Sequence, residues 1–243
     1  MRKLIVGALG AGLLLTGCGR AAQDASAAPP PTDPPTSAPA VPAARPDPAA
    51  TVGTLVNLRT GKRTCTATVV ARDLVMTAAH CAGRKMAFVP RYARGERPAG
   101  TWKVTAGFAD PSWVKSRDDD ADLAFLSVAP LAGKHLGEVT GISAPVFTAK
   151  PAGTTVTILS YPNASEVLLR SSSRAQGVHG DQDLRVSGPA LPSGSSGSPF
   201  FSGGVIVAVL GGYLEGGNSL RVSYATVLDA RAERLYQRAL ATM

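Results

Sequence analysis

The pentapeptide Thr77-Ala78-Ala79-His80-Cys81 says most about the fold of this 243-residue chain. Residues Leu74 to Thr77 lead into His80 and predict a short buried strand. The small residues from Ala78 to Gly83 predict one tight helical turn after that strand. The chain has 3 histidines, and the other two, His135 and His179, lie between glycines in stretches that predict solvated loops. His80 is therefore the candidate base of a catalytic site.

A second motif, Gly194-Ser195-Ser196-Gly197-Ser198-Pro199, predicts a nucleophile on a rigid mount. A serine hydroxyl needs a neighbouring base to react at neutral pH, and glycines permit the tight turn that would hold Ser196. The same turn can aim the N–H groups of Gly194 and Ser196 at one point, as an oxyanion hole requires. The many serines also fit an ordinary surface loop, but the apolar run Val205–Leu210 favours a turn that enters a buried strand.

A third segment, Asp118-Asp119-Asp120-Ala121-Asp122, offers four carboxylates that could orient the base. The first three predict a solvated loop. Asp122 opens the apolar strand that runs to Val128, and a carboxylate at a strand boundary can be held near a histidine and shielded from water. Asp122 is the preferred candidate, and Asp120 is the alternative.

With these motifs in the order His, Asp, Ser, the chain resembles the chymotrypsin-fold serine peptidases from about Thr51 to its end. It is most similar to the bacterial branch that includes the glutamyl endopeptidases. The resemblance implies that His80 is the general base, Asp122 its orienting group and Ser196 the nucleophile. The same residue order excludes the subtilisin and α/β-hydrolase arrangements of the triad. We expect no cofactor, and no metal site, since metal-ligand spacing is lacking.

The resemblance also implies a fate for two of the three cysteines, Cys18, Cys65 and Cys81. A disulfide between Cys65 and Cys81 would close a loop beside His80, as is common in the family. The alternative is a pair of free buried thiols, which an exported chain rarely keeps.

Cys18 belongs to the N-terminal segment, residues 1–17 of which predict an export signal. Arg2 and Lys3 precede an apolar run, Leu4 to Leu15, that is too short to span a bilayer. Leu15-Thr16-Gly17-Cys18 looks like a lipobox, so Cys18 is the candidate lipidation site. An ordinary signal cut near Ala27-Ala28 is the alternative. We therefore expect a lipid-anchored protein on the extracellular face of the cell membrane, or otherwise a secreted one.

Residues 18–50 predict a disordered tether, because this stretch is rich in alanine and proline and lacks apolar periodicity. The remaining 51–243 fit one all-β domain, in which short apolar runs alternate with glycine, proline and aspartate. The resemblance implies two six-stranded antiparallel β-barrels, divided near residue 140, and a C-terminal helix. We expect Thr226 to cap that helix. The predicted strands are Val52–Leu58, Cys65–Val70, Leu74–Thr77, Met86–Val89, Thr101–Ala106, Asp122–Val128, Thr154–Tyr161, Glu166–Ser171, Val205–Leu210 and Leu220–Tyr224.

The chain departs from its relatives where specificity is set. Ala190 stands where trypsins have an acidic residue, and the strand after Ser196 lacks the histidine of glutamyl endopeptidases. We expect Ala190, Gly211 and Gly212 to line an apolar specificity pocket. Ser195 replaces the aspartate that pairs with a newly cut N-terminus in animal enzymes, so no zymogen cleavage is expected.

These features predict a membrane-tethered serine endopeptidase, hydrolysing peptide bonds through an acyl-enzyme. The alternative is a catalytically silent homologue that serves as a cell-surface binding module. A protease-chaperone is disfavoured, because no segment after Ser196 is long enough for a PDZ module. The net charge of +8 reflects scattered arginines, so the expected partners are a protein or peptide substrate and the membrane, without nucleic acid. We expect a monomer.

Overall fold

A computed structural model of the protein describes residues 47–147, 151–180, 183–188, 191–217 and 221–243. The predicted signal, Cys18 and most of the tether lie outside the described residues, as does Ala190. Regular structure starts with α1 (Pro48–Thr51), a single turn capped by Asp47. It therefore begins within the last residues of the predicted tether. In the described part of the chain, no helix is long and apolar enough to cross a membrane.

The first barrel contains six antiparallel strands in the closed order β1-β2-β3-β6-β5-β4. Its interior is filled by apolar side chains, among them Phe88 and Trp102. The strands are β1 (Val52–Asn57), β2 (Arg63–Ala71), β3 (Leu74–Thr77), β4 (Met86–Pro90), β5 (Trp102–Ala109) and β6 (Ala124–Val128).

The second barrel repeats this architecture in the closed order β10-β11-β12-β9-β8-β7. Ile158 and Phe200 are among the residues at its centre. The strands are β7 (Thr155–Ser160), β8 (Leu169–His179), β9 (Asp183–Ser187), β10 (Pro199–Ser202), β11 (Val205–Leu210) and β12 (Val222–Val227). The all-β prediction with two six-stranded barrels is thus confirmed. Residue 140, near which a division was predicted, lies between β6 and β7.

Three further helices lie outside the barrels: α2 (Pro111–Ser116), α3 (Leu136–Thr140) and the C-terminal α4 (Ala230–Leu240). The apolar stripe of α4 packs on the core cluster that also contains Phe125 of the first barrel and Val209 of the second. The predicted cap of this helix was wrong. Thr226 belongs to β12, and the carboxylate of Asp229 accepts hydrogen bonds from the first amides of α4.

The sequence missed two strands and shortened a third. β9 and the long β8 carry polar residues such as Arg170, Arg174 and Arg185, so they show no strong apolar pattern. Their stability comes from pairing, since β8 is bonded to β7 over residues 169–174 and to β9 over residues 174–179. β10 begins at Pro199, the last residue of the serine motif, so the sequence did not show it as a separate strand.

Candidate active site

His80 lies in a 3-10 turn, Ala79–Cys81, at the end of β3. A disulfide between Cys65 and Cys81, with Cα atoms 6.1 Å apart, ties this turn to β2. The two sulfurs and a ring nitrogen of His80 lie within 4.8 Å of one another. Because both sulfurs are consumed in the disulfide, they offer no thiolate to a metal ion.

The His80 ring is paired with Asp122, which follows a second 3-10 turn just before β6. Nδ1 of His80 lies 2.7 Å from Oδ2 of Asp122, and the His80 backbone N–H donates to Oδ1 at 2.9 Å. The carboxylate of Asp122 is fully buried, whereas 13% of the His80 side chain is exposed. Two bonds to one carboxylate fix both the backbone and the ring of His80. The Nδ1 contact favours the tautomer whose Nε2 can accept a proton.

Opposing effects set the charge of this imidazole. Burial lowers the pKa of His80, while the hydrogen bond and charge of Asp122 and the charge of Glu215 raise it. The balance leaves the pKa of His80 above its ordinary value of 6.5. The ring therefore becomes neutral, as a general base must be, only at a higher pH than an ordinary imidazole does.

The alternative aspartate, Asp120, lies in the 3-10 turn Asp119–Ala121. Its backbone carbonyl accepts a hydrogen bond from Arg231 of α4 at 2.7 Å. The carboxylate against His80 is that of Asp122. The run that was expected to be a solvated loop is in fact a turn anchored to the C-terminal helix.

The serine turn packs directly on the elements that carry His80. Gly194 has φ +94° and Gly197 has φ +82°, in the left-handed region that favours glycine. A Cβ on Gly197 would lie 2.2 Å from both the Thr66 carbonyl oxygen and the Thr77 Oγ1. The Thr66 N–H also donates to the Ser196 carbonyl at 2.8 Å. These contacts place half-buried Ser196 between β2 and the end of β3.

Two peptide units of this turn are held so that their N–H groups remain available. The Ser193 carbonyl accepts from the Asn163 N–H at 2.8 Å. The Ser195 carbonyl accepts from both the N–H and the Oγ of Ser198, at 3.0 and 2.6 Å. In a trans peptide the N–H points opposite to the carbonyl, so the next amides, of Gly194 and Ser196, face the other way. Among described residues, neither amide has an acceptor.

Ser195 itself is fully buried, and its Oγ has no hydrogen-bond partner among the described residues. Because it is a serine, it brings no charge to the turn. The absence of an aspartate here agrees with a turn held by the carbonyl contacts of Ser193 and Ser195 instead of by an ion pair.

Gly211 and Gly212, which were expected to line a specificity pocket, lie against the carboxylate of Asp122. A Cβ on Gly211 would lie 2.8 Å from Oδ2 of Asp122, and the Gly212 N–H donates to that same oxygen at 2.9 Å. Gly211 and Gly212 are thus packed against the carboxylate that holds His80. A side chain at Gly211 would collide with that carboxylate.

The sequence analysis missed Asp183, the first residue of β9. Asp183 is buried; its Oδ2 accepts from the Tyr213 N–H at 2.6 Å, while its Oδ1 has no partner in the described part of the chain. Burial, which outweighs the Tyr213 hydrogen bond, raises the pKa of Asp183 to about 7, and the charges of Asp120, Asp119 and Asp122 add to the rise. Nothing in the local sequence marked this aspartate.

The other two histidines were expected to be solvated loop residues; His179 is exposed but ends a strand, and His135 is a loop residue that is half-buried. His135 precedes α3, and its Nδ1 contacts the carboxylate of Asp73. His179 ends β8, and its ring lies 4.3 Å from that of Tyr213.

Solved structures share this fold. The chain superposes on a thermostable serine protease, AL20, from an extremophilic microorganism with a TM-score of 0.71 and 23% identity, over 80% of this chain and 99% of the other. Protease Anisep from Arthrobacter nicotinovorans gives 0.66 and 26%, over 80% and 97%. A Glu endopeptidase in complex with MPD gives 0.69 and 18%, over 83% and 95%.

A comparison with curated proteins finds no match. Residues 65–209 match the family model described as a trypsin-like peptidase domain, and they include His80, Asp122 and Ser196. Since this match covers more than half of the chain, the protein belongs to the trypsin-like peptidase family.

Proposed function

We propose that the protein is a serine endopeptidase with Ser196 as nucleophile, His80 as general base and Asp122 as the group that orients the base. The observation that carries the proposal is the 2.7 Å pairing of His80 with a fully buried carboxylate. It is supported by the glycine turn that packs Ser196 against the strand leading to His80.

Each step of peptide hydrolysis then has a group to perform it. Nε2 of His80 accepts the proton of Ser196 Oγ as that oxygen attacks the substrate's carbonyl carbon. The resulting imidazolium, stabilised by Asp122, gives the proton to the leaving amine when the C–N bond breaks. A water molecule, deprotonated by the same Nε2, hydrolyses the acyl-enzyme and frees Ser196.

The negative oxygen of the tetrahedral intermediate would be stabilised by the N–H groups of Gly194 and Ser196. Both amides are oriented by the bonds that Ser193 and Ser195 make through their carbonyls, so little reorganisation is needed during the reaction. Removing one such donor typically slows an acyl-transfer enzyme about 10²–10³-fold.

The direct test is labelling of the full chain with a fluorophosphonate probe at pH 8. The parent should be labelled and Ser196→Ala should not. Ser195→Ala is the matched control, because the neighbouring Oγ is buried and without a partner among the described residues, so its loss should spare labelling. If folded parent protein stays unlabelled, or if Ser195→Ala is the variant that loses the label, the assignment is wrong.

We also propose that Cys18 is lipidated and that residues 18–50 hold the domain away from the outer face of the membrane. The support is the Leu-Thr-Gly-Cys sequence after a short apolar run, and the proline content of the following stretch. Two acyl chains anchor a protein stably where one is marginal. Globomycin treatment, with mass spectrometry of the mature N-terminus, tests this. A lipid-free form beginning near Ala28 would instead mean secretion.

A further inference from the structure

Two consecutive backbone N–H groups after β11 donate to two different aspartates. They belong to a strap that we define as Gly211–Gly217. The pairs are Gly212 with Asp122 at 2.9 Å and Tyr213 with Asp183 at 2.6 Å. Carboxylates from two distant parts of the chain therefore bind one short segment.

The backbone of the strap is strained. Leu214 (φ 52°, ψ 38°) and Glu215 (φ 53°, ψ 33°) are consecutive non-glycine residues in the left-handed region, which side chains other than glycine disfavour. The turn is closed by a bond from the Glu215 N–H to the Gly212 carbonyl at 2.7 Å. Such a conformation persists only when surrounding contacts hold it, and Asp122 and Asp183 supply two of them.

The strap lies beside the candidate active site. The Leu210 carbonyl, just before it, accepts from the Gly197 N–H at 2.7 Å, and Gly211 contacts Asp122. The negative charge of Glu215 helps to raise the pKa of His80. A peptide whose carbonyl is at Ser196 must pass this edge, and an extended peptide is commonly held by main-chain bonds to such an edge. The amides of Gly212 and Tyr213 are already occupied.

Asp183, like Asp122, is a buried aspartate that accepts a bond from the strap. The charged groups that face it are carboxylates: Asp119, Asp120 and Asp122. His179 pairs with it across β8 and β9. Arg231 of α4 bonds to the Asp120 carbonyl and lies 4.0 Å from the Asp118 carboxylate. The closed strap therefore covers an acidic group that is unfavourable when ionised.

We propose that Asp183 is a positioning residue that keeps the strap closed when it is protonated and releases the strap when it ionises. The proposal rests on the proposed function, since the released amides of Gly212 and Tyr213 would then be free to bind the backbone of a peptide substrate.

The direction follows from linkage. In the closed form the pKa of Asp183 is raised to about 7 from 3.8, and opening would return it toward the ordinary value by admitting water. Rising pH thus favours opening, by up to about 10³-fold once Asp183 is fully ionised. His80 acts in the same direction, because its protonated ring attracts Glu215 of the closed strap and loses that attraction on deprotonation.

Amide hydrogen exchange tests whether the strap opens as pH rises, without relying on enzymatic activity. In full-length Ser196→Ala, the amides of Gly212 and Tyr213 should lose protection, after correction for intrinsic exchange, as pH rises from 6 to 8. Adding Asp183→Asn, whose amide oxygen can still accept from Tyr213, should keep them protected at both pH values. Glu138→Gln, an exposed carboxylate in α3, should behave as the parent. Constant protection in the parent, or undiminished loss with Asp183→Asn, would overturn the proposal.

Kinetics supply a second readout. If activity needs both neutral His80 and ionised Asp183, log(kcat/KM) should fall with a slope approaching 2 on the acid side, and Asp183→Asn should reduce that slope to 1. An unchanged slope of 1 in both proteins argues against the gate. If neither the parent nor any variant turns over a peptide, the proposed function fails. The exchange experiment then still tests whether Asp183 controls opening of the strap.

Discussion

Removing the Cys65–Cys81 disulfide is expected to lower the free energy of unfolding by about 3 kcal/mol. The bridge joins residues 16 apart, and for a closed loop of this size the chain-entropy model gives about 3 kcal/mol. In a domain of about 200 residues, each kcal/mol changes Tm by about 2–4 °C, so the expected fall is about 6–12 °C. Because Cys81 adjoins His80, the rate of fluorophosphonate labelling should fall as well.

Calorimetry on three samples separates this effect from a packing defect. The oxidised parent is compared with the reduced parent, which keeps both side chains, and with the Cys65→Ala/Cys81→Ala double variant. Reductant should lower the Tm of the parent and leave that of the double variant unchanged. A fall below about 2 °C, or two reactive thiols in the unfolded, unreduced parent, would refute the reasoning.

Asp122→Asn is expected to lower kcat/KM about 10⁴-fold by favouring the wrong imidazole tautomer. In steady-state kinetics, the Asp122→Asn/Ser196→Ala double variant should lose far less transition-state stabilisation than the two single variants lose together. Since Asp122 and Glu215 raise the pKa of His80 above 6.5 despite its burial, activity should be lost as pH falls, with the His80 ionisation centred above pH 6.5. A pH-rate profile centred below 6.5 would contradict this. Gly197→Ala should abolish labelling and lower Tm, because its Cβ would meet the Thr66 carbonyl at 2.2 Å. Gly61→Ala, at φ +69° in open space, is the control and should cost only about 1–2 kcal/mol.

The parts of the fold that the sequence predicted depend on local patterns. β3 and β11 are short apolar runs, and the turn at His80 is a cluster of small residues. Each can therefore be predicted from its own residues. The His80–Cys81 motif and the serine turn were recognised for the same reason. Asp122 could be preferred over Asp120 because a strand boundary is itself visible in the sequence.

What the sequence could not predict depends on residues far apart along the chain. Asp183 matters because β9 places it under Tyr213, 30 positions away. The choice between Thr226 and Asp229 as helix cap depended on how far β12 runs, which its pairing with β9 decides. Arginine-rich β8 is a strand because β7 and β9 flank it, and its own residues give little indication.

Thr66 shows how the two barrels become one site. This fully buried residue of β2 accepts from the Tyr161 N–H at 2.9 Å and donates through the same hydroxyl to the Gly194 carbonyl at 3.0 Å. Its N–H holds the Ser196 carbonyl, and its own carbonyl accepts from the Thr77 hydroxyl at 2.8 Å. Each polar group of Thr66 thus fixes a different part of the site, and leaving such buried groups unpaired costs about 1–3 kcal/mol apiece. The serine turn of one barrel and the histidine turn of the other are therefore held in register by hydrogen bonds that exist only when both barrels are folded.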